Sequence, residues 1–216
     1  DNQVSQVRNK LNELERVITH AIESSETMLT PEQVWLVETL RARLGEAYDA
    51  YAHYDHMSAA QKIFFETLNE IKRFRKVFGR DEAPAVKKIV KEWIVLMSPI
   101  TPFLAEEGGE KAKLGKLVSV SRVEKPHGKP DLAMEAKIIF LEGVFQDLER
   151  VRKLVKGKTP KIAFIYSPDL QESQWLEDAA VAMGKHTQME IRLNDKHDPL
   201  GKLAKAQKGR PAIYLE

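Results

Sequence analysis

His53 and His56, with Asp55 between them, form the tightest set of potential metal ligands in the sequence. A spacing of three could bring two imidazoles to one ion on a helix, but no third or fourth ligand stands nearby. Polar turn residues are the plainer reading of that segment. His186 and His197 read as isolated loop residues, and the pair Glu106 and Glu107 suits a solvated helix face better than a general acid and base. No phosphate-cradling glycine loop, HExxH, GxSxG or metal-spaced carboxylate set occurs. The chain has no cysteine, which removes disulfides, thiolate ligands and a thiol nucleophile. The remaining signal is positive charge. Lys72, Arg73, Arg75, Lys76, Arg80, Lys87, Lys88 and Lys91 crowd one stretch against only Asp81 and Glu82. Such a cluster could meet successive phosphates, and it could equally be the lysine-rich face of a soluble helical domain. A second run, Lys196, Lys202, Lys205, Lys208 and Arg210, is partly offset by Asp195 and Asp198 and precedes the closing AIYLE.

The first half that must position these residues is helical. Val4, Val7, Leu11, Leu14, Ile18 and Ile22 recur at spacings of three and four, predicting one buried stripe. TPEQ places Thr30 as a cap, Pro31 in the first turn and Gln33 to complete a capping box. The expected stripe behind it is Val34, Val37, Leu40, Leu44, Tyr48 and Tyr51. A third helix is expected to open with the box of Ser58 and Gln61, run through Ile63, Phe64, Leu68, Ile71 and Phe74 to about Val77, and end at Gly79. A fourth carries Val86 to Met97 and stops before Pro99. A short fifth, opened by Pro102, is expected to end at Gly108 and Gly109. Long helices with short turns predict a bundle over residues 1–113.

From Leu114 the pattern changes. LVSVSRV alternates like a short strand or extended arm, and EKPHGKPD reads as a linker, so 114–130 is expected to connect two domains. Residues 131–216 then give a helix from Leu132 to Lys156, KIAFIY, a helix around Leu170 to Met183, MEIRLN, a short helix from Pro199 to Gln207, and AIYLE. Strands alternating with helices predict a small α+β domain. The fold class is thus an α-helical bundle followed by a small α+β domain. With 216 residues, 43% apolar and 31% charged, the chain can bury both cores. Its net charge of +2 does not by itself announce a nucleic-acid partner. No apolar run approaches the roughly 20 residues of a membrane span, and DNQVSQVRNK lacks the apolar core of a signal peptide. A soluble, cytoplasmic protein is the expectation.

WIVLMSPITPFLAEE, residues 93–107, resembles a signature of class I aminoacyl-tRNA synthetases of the leucine, isoleucine and valine group. There the last long helix of the anticodon-binding bundle breaks at a proline turn and re-enters as a helix bearing a Glu-Glu pair. SAAQKIFFETLNEIKRFRKV and NQVSQVRNKLNELERVI are similar to other helices of that bundle. VSVSRVEKP and the long helix leading to KIAFIY resemble archaeal and eukaryal leucyl-tRNA synthetases in particular, so the likeness covers essentially the whole chain. Two positions depart from it: Gly108-Gly109 replaces a Leu-Trp continuation, and Val123 stands where a tryptophan is expected.

The resemblance implies that the bundle docks on the tRNA backbone near its inner corner. It also implies that the C-terminal domain reaches the long variable arm of tRNA-Leu, with Ile213, Tyr214, Leu215 and Glu216 sharing in recognition. A free chain end can offer backbone groups to unstacked bases. AIYLE as a plain edge strand remains the alternative. The ATP- and amino-acid-activating motifs and the editing domain lie upstream in that family and do not occur here. ATP and magnesium therefore belong to the parent enzyme, a leucine–tRNA ligase, and no cofactor is expected in this stretch. Partners implied are tRNA-Leu and those upstream domains. The other readings are the equivalent bundle of an isoleucyl or valyl enzyme, which would read the anticodon, and a helical scaffold that binds a protein through an apolar groove. The purified 216-residue chain should show no leucine-dependent ATP–pyrophosphate exchange; a rate above contaminant level would refute the assignment of activation chemistry to upstream domains.

Overall fold

The computed structural model describes residues 2–155, 160–198 and 200–216, with side chains from Ser5 onward. Two compact units share the chain: Asp1–Phe74 with Arg80–Asp131, and Arg75–Gly79 with Leu132–Glu216. The first is a helical bundle, the second a three-stranded sheet with helices.

In the first unit α1 (Asn2–Glu23) packs on α5 (Ala83–Lys87) and α7 (Pro102–Lys111). Its buried residues are Leu14, Val17, Ile18 and Ala21, whereas Val7 is half exposed. The expected stripe is therefore rotated and confined to the C-terminal half, where Gly108 comes close to Ile18. The side chain of Val4 lies outside the described residues. Helix α2 (Pro31–Ala52) starts with the capping box read from TPEQ: Thr30 Oγ1 accepts from Gln33 N at 3.3 Å, and Gln33 Oε1 accepts from Thr30 N at 2.9 Å. This helix touches α5, α6 (Val90–Met97) and α3 (His56–Ala60), so more than one face is covered. Trp35 and Leu36 are buried beside Leu40 and Leu44, while Val34 turns outward, so a single stripe understates its burial.

The third helix opens earlier than the Ser58 box predicts. Asp55 is its cap, accepting from Ser58 N at 2.9 Å and from Ser58 Oγ at 2.6 Å. A carboxylate three residues ahead outcompetes the serine for the role. From Ala60 the helix continues as a π-helical stretch, Gln61–Glu66, and then as α4 (Thr67–Phe78), ended by Gly79 at φ 60°. The expected fourth helix is broken at Lys88–Ile89 into α5 and α6. Helix α7 runs through Gly108 and Gly109 to Lys111, so the glycines do not end it. They are buried close to Ile94 and Val118, which a side chain at either position would crowd. LVSVSRV forms no strand. Glu106 accepts from Val118 N at 2.8 Å and Ser119 N at 3.0 Å and holds Val118–Val120 as a 3-10 turn. Those two amides hold the Glu106 carboxyl below its ordinary pKa. Residues 114–130 belong to the first unit, and EKPHGKPD lies on α2 instead of hanging free. Lys129 N donates to Glu38 at 3.0 Å, and Lys125 meets Asp49 at 2.7 Å.

In the second unit α8 (Leu132–Leu154) and α9 (Leu170–Thr187) pack together and against one face of a sheet ordered β2-β1-β3. The expected end of α8 at Lys156 lies outside the described residues. Strand β1 (Ile162–Tyr166) pairs in parallel with β2 (Glu190–Leu193) and antiparallel with β3 (Ala212–Leu215). Ala163, Ile165, Ile213 and Leu215 alternate inward to a core with Leu141, Phe145, Leu176 and Met183. The short helix expected from Pro199 to Gln207 is reduced to a 3-10 turn, Leu203–Lys205, with Pro199 outside the described residues.

A Cβ at Gly128 would collide with the Glu38 carbonyl oxygen and lie 2.5 Å from Ala42 N, whereas one at Gly143, on the exposed side of α8, would meet nothing. Gly128→Ala should cost about 1–3 kcal/mol by overpacking. Gly143→Ala should gain about 0.4–1 kcal/mol from the unfolded chain's lost freedom. Urea midpoints of the two variants measure both, and equal midpoints would show that 124–131 is not seated on α2.

Candidate nucleic-acid interface

The cations of the first unit divide by their partners. Lys72 meets Glu13 at 2.9 Å, Arg73 meets Glu70 at 3.5 Å and lies over the Trp35 ring, and Arg80 meets Glu32 at 3.8 Å. Those charges are largely neutralised in place. Lys10 stands beside Lys72, and that like-charged neighbour, followed by burial, pushes its ammonium below its usual pKa. Lys87 donates to the Ser24 carbonyl oxygen. Lys88 and Lys91 are exposed and make no ion pair among the described residues. The break between α5 and α6 frees the Lys88 carbonyl, which accepts from Arg41 Nη2 at 3.5 Å, while Arg41 also approaches Glu38 and Glu92. Lys87, Lys88 and Lys91 therefore form an accessible positive patch on this unit.

In the second unit Arg75 is exposed, and Lys76 meets Glu149 at 3.3 Å and lies over the Phe145 ring. His186, first, and then Lys76 hold the Glu149 carboxyl below its ordinary pKa. Lys208 pairs with Asp169 at 3.0 Å, Lys202 is half buried, and Lys205 and Arg210 are exposed. The closing residues form the edge strand β3. Ile213 and Leu215 are 8% and 9% exposed, so their side chains belong to the core. Strand alternation leaves Tyr214 and Glu216 on the other face.

That face carries a constellation which scanning for single motifs missed. The register sets Phe164 between Arg192 on β2 and Tyr214 on β3. The Phe164 and Tyr214 ring centroids are 5.9 Å apart at 34°, and the Arg192 guanidinium lies 5.7 Å from the Phe164 centroid. The His197 ring, 5.1 Å from Phe164, comes from the loop after β2, whose carbonyl at His197 accepts from Tyr166 Oη. His197 Nε2 stands 3.4 Å from a Glu216 carboxylate oxygen. With Lys161 these residues line a concavity of ≈ 820 Å³. Phe164 is itself buried beneath these groups, and the half-buried Tyr214 ring with a guanidinium and an ammonium at the rim suits a stacked, unpaired base and its phosphate. The available signal was the period of two in KIAFIY, MEIRLN and AIYLE, which brings one aromatic or cationic residue from each strand to a common face. Among the described residues no group of three or more His, Asp or Glu could hold a metal ion, and no helix is long and apolar enough to cross a membrane.

The sequence model for the anticodon-binding domain of tRNA ligase matches residues 33–163 of this chain. The chain belongs to that family. Among its curated relatives, the leucine–tRNA ligase of Methanococcus maripaludis is 25% identical over 173 residues, 79% of this chain and 17% of the relative. That of Methanothrix thermoacetophila is 26% identical over 184 residues, 83% of this chain and 17% of the relative. That of Pyrococcus horikoshii is 25% identical over 140 residues, 62% of this chain and 14% of the relative. The chain thus spans less than a fifth of the length of these relatives.

The Asp169 carboxyl is held below its ordinary value of 3.8, first by the Lys208 ammonium and then by the Glu172 backbone N–H. A depressed carboxylate contributes stability that is complete above the unfolded value and lost as pH falls through the lower folded one. Asp169→Asn should therefore lower stability by a constant amount above about pH 4 and flatten the decline below it, as urea midpoints from about pH 5 to about pH 2.5 would show.

Proposed function

We propose that the chain is the tRNA-gripping C-terminal portion of an archaeal- or eukaryal-type leucine–tRNA ligase. Family membership, together with relatives that are named leucine–tRNA ligases and align through both units, carries this reading. In it the bundle holds the tRNA backbone through exposed cations, chiefly Lys87, Lys88 and Lys91, with the ion-paired Lys72, Arg73 and Arg80 contributing less, while Arg75 and Lys76 act from the second unit. The α+β unit reaches the long variable arm of tRNA-Leu. An unpaired base stacks against Tyr214, which Phe164 backs from beneath, and Lys202, Lys205, Lys208 and Arg210 supply the surrounding positive charge. The catalytic domain of the same protein, using ATP and magnesium, attaches leucine to the tRNA, an editing domain accompanies it, and the setting is the cytoplasm. The phosphate contacts position the RNA without reading sequence, so discrimination falls to the second unit.

Competition binding among tRNA-Leu, tRNA-Ile and a tRNA-Leu with a trimmed variable arm tests the reading. Lys88→Glu with Lys91→Glu should weaken all three alike and make the salt dependence shallower by about one contact for each lysine removed. Tyr214→Ala should cost about 1–3 kcal/mol, and only for the long-armed tRNA. Preference for tRNA-Ile would favour an isoleucyl-type bundle, and affinity indifferent to salt would favour a protein-binding scaffold.

A further inference from the structure

Residues 194–210 leave the sheet after β2 and return as β3, carrying His197 over Phe164 and presenting Lys205 and Arg210 to solvent. The first turn of α9 holds this excursion at two points. Asp169, the N-cap of α9, pairs with Lys208 from outside. Glu172, 5% exposed, does so from inside: one carboxylate oxygen accepts from Ser167 Oγ at 2.8 Å, and the other accepts from the backbone N–H of Gly209 at 2.6 Å. Gly209 sits at φ 75° in a tight turn closed by Gln207 N to Arg210 O at 3.1 Å and Arg210 N to Gln207 O at 2.9 Å. A neighbouring clamp does the same for the far end of the loop: Asn194 Oδ1 accepts from Ser167 N at 2.9 Å, and Asn194 Nδ2 donates to Ser173 Oγ at 3.0 Å.

A buried carboxylate is costly to keep, and an apolar residue of its size would serve a core as well or better. Glu172 spends its two oxygens on one serine hydroxyl and one backbone amide, so what it secures is the location of the Gln207–Arg210 turn. That turn carries Lys208 and Arg210 and ends two residues before β3 begins at Ala212, four before Tyr214. We infer that Glu172 is a positioning residue for RNA capture: it fixes the Gln207–Arg210 turn, and with it the cations of the loop and the approach of β3. The inference rests on the tRNA-binding reading above. Loss of Glu172 frees the turn, so Lys205 and Arg210 must be ordered at the moment of binding and the second unit holds phosphates less well.

The test compares Glu172→Ala and Glu172→Gln in the 216-residue chain, reading hydrogen exchange at the Gly209 amide, tRNA-Leu affinity and its salt dependence. The alanine variant should speed exchange at Gly209 about tenfold or more, weaken tRNA-Leu about tenfold, and make the salt slope shallower by about 1 to 2. Glutamine should restore all three, because its carbonyl oxygen can accept from Gly209 N–H while its amide donates to Ser167 Oγ. Should alanine unfold the second unit, Glu172→Asp retains the charge, withdraws the carboxylate by one methylene, and should reproduce the alanine losses with the helices intact by circular dichroism. Faster exchange at Gly209 with unchanged tRNA affinity would overturn the inference and leave Glu172 a stabilising residue only. Equal losses in alanine and glutamine would also overturn it, since they would mean that charge, and not geometry, matters. If the unaltered chain binds no tRNA, the functional reading fails instead.

Discussion

The arrangement of the bundle follows from how one backbone carbonyl is shared. Ile63 O accepts from the Trp93 indole at 3.1 Å and from Thr67 Oγ1 at 2.5 Å, both in the dry interior. A carbonyl serving two side chains is drawn out of the regular helical ladder, and the helix answers by widening to π geometry over Gln61–Glu66. Trp93 is fully buried and opens the WIVLMSPITPFLAEE segment, so this bond ties the proline-turn region to the helix that ends in the basic cluster. Once α6 is fixed there, Pro102 restarts the chain as α7, and Gly108 and Gly109 let that helix approach Ile94 and Val118 without collision. Glu106 on the same helix can then collect the two amides of the Val118–Val120 turn.

Local chemistry was legible and competition between local signals was not. The box of Thr30 and Gln33, the stop at Gly79 and the strands KIAFIY, MEIRLN and AIYLE follow from residues next to one another in sequence. Ser58 lost its cap to Asp55 because two good caps lay three residues apart and the carboxylate accepts from both Ser58 donors. Gly108-Gly109 reads as a helix stop in isolation. Its reason for being glycine lies in Ile94 and Val118, which sequence spacing does not connect to it. The proline- and glycine-rich 124–131 reads as a free linker for the same reason, since the contacts that seat Gly128 on α2 come from Glu38 and Ala42.

The same distinction governs charge. Counted along the chain, residues 72–91 look uniformly basic. In three dimensions Glu13, Glu32 and Glu70 quench Lys72, Arg80 and Arg73, and Glu149 quenches Lys76. These pairs are partly exposed and each contributes little to stability. Their larger effect is on the field, because a paired cation repels its neighbours less and attracts a phosphate less. The exposed Lys88 and Lys91 therefore matter more than their number suggests, and the helix break beside them keeps both on the surface while Ile89 turns into the core.

A three-stranded sheet has two faces, and here α8 and α9 cover only one. The other would ordinarily be polar, since an uncovered apolar face invites association. Instead Phe164 and Tyr214 lie on it, with Arg192 and His197 bearing on the Phe164 ring. Arg192, His197 and Tyr214 leave Phe164 only 1% exposed, so the aromatic surface left accessible on this face is the half-buried Tyr214 ring. Such a face is useful only if its rim is fixed. The rim is supplied by a long excursion with little secondary structure of its own, so its order comes from the side-chain clamps of Asn194, Asp169 and Glu172 at the head of α9. The first turn of one helix thereby does for the α+β unit what the Ile63 carbonyl does for the bundle: a few polar groups bonded at fixed points decide where the exposed ones stand.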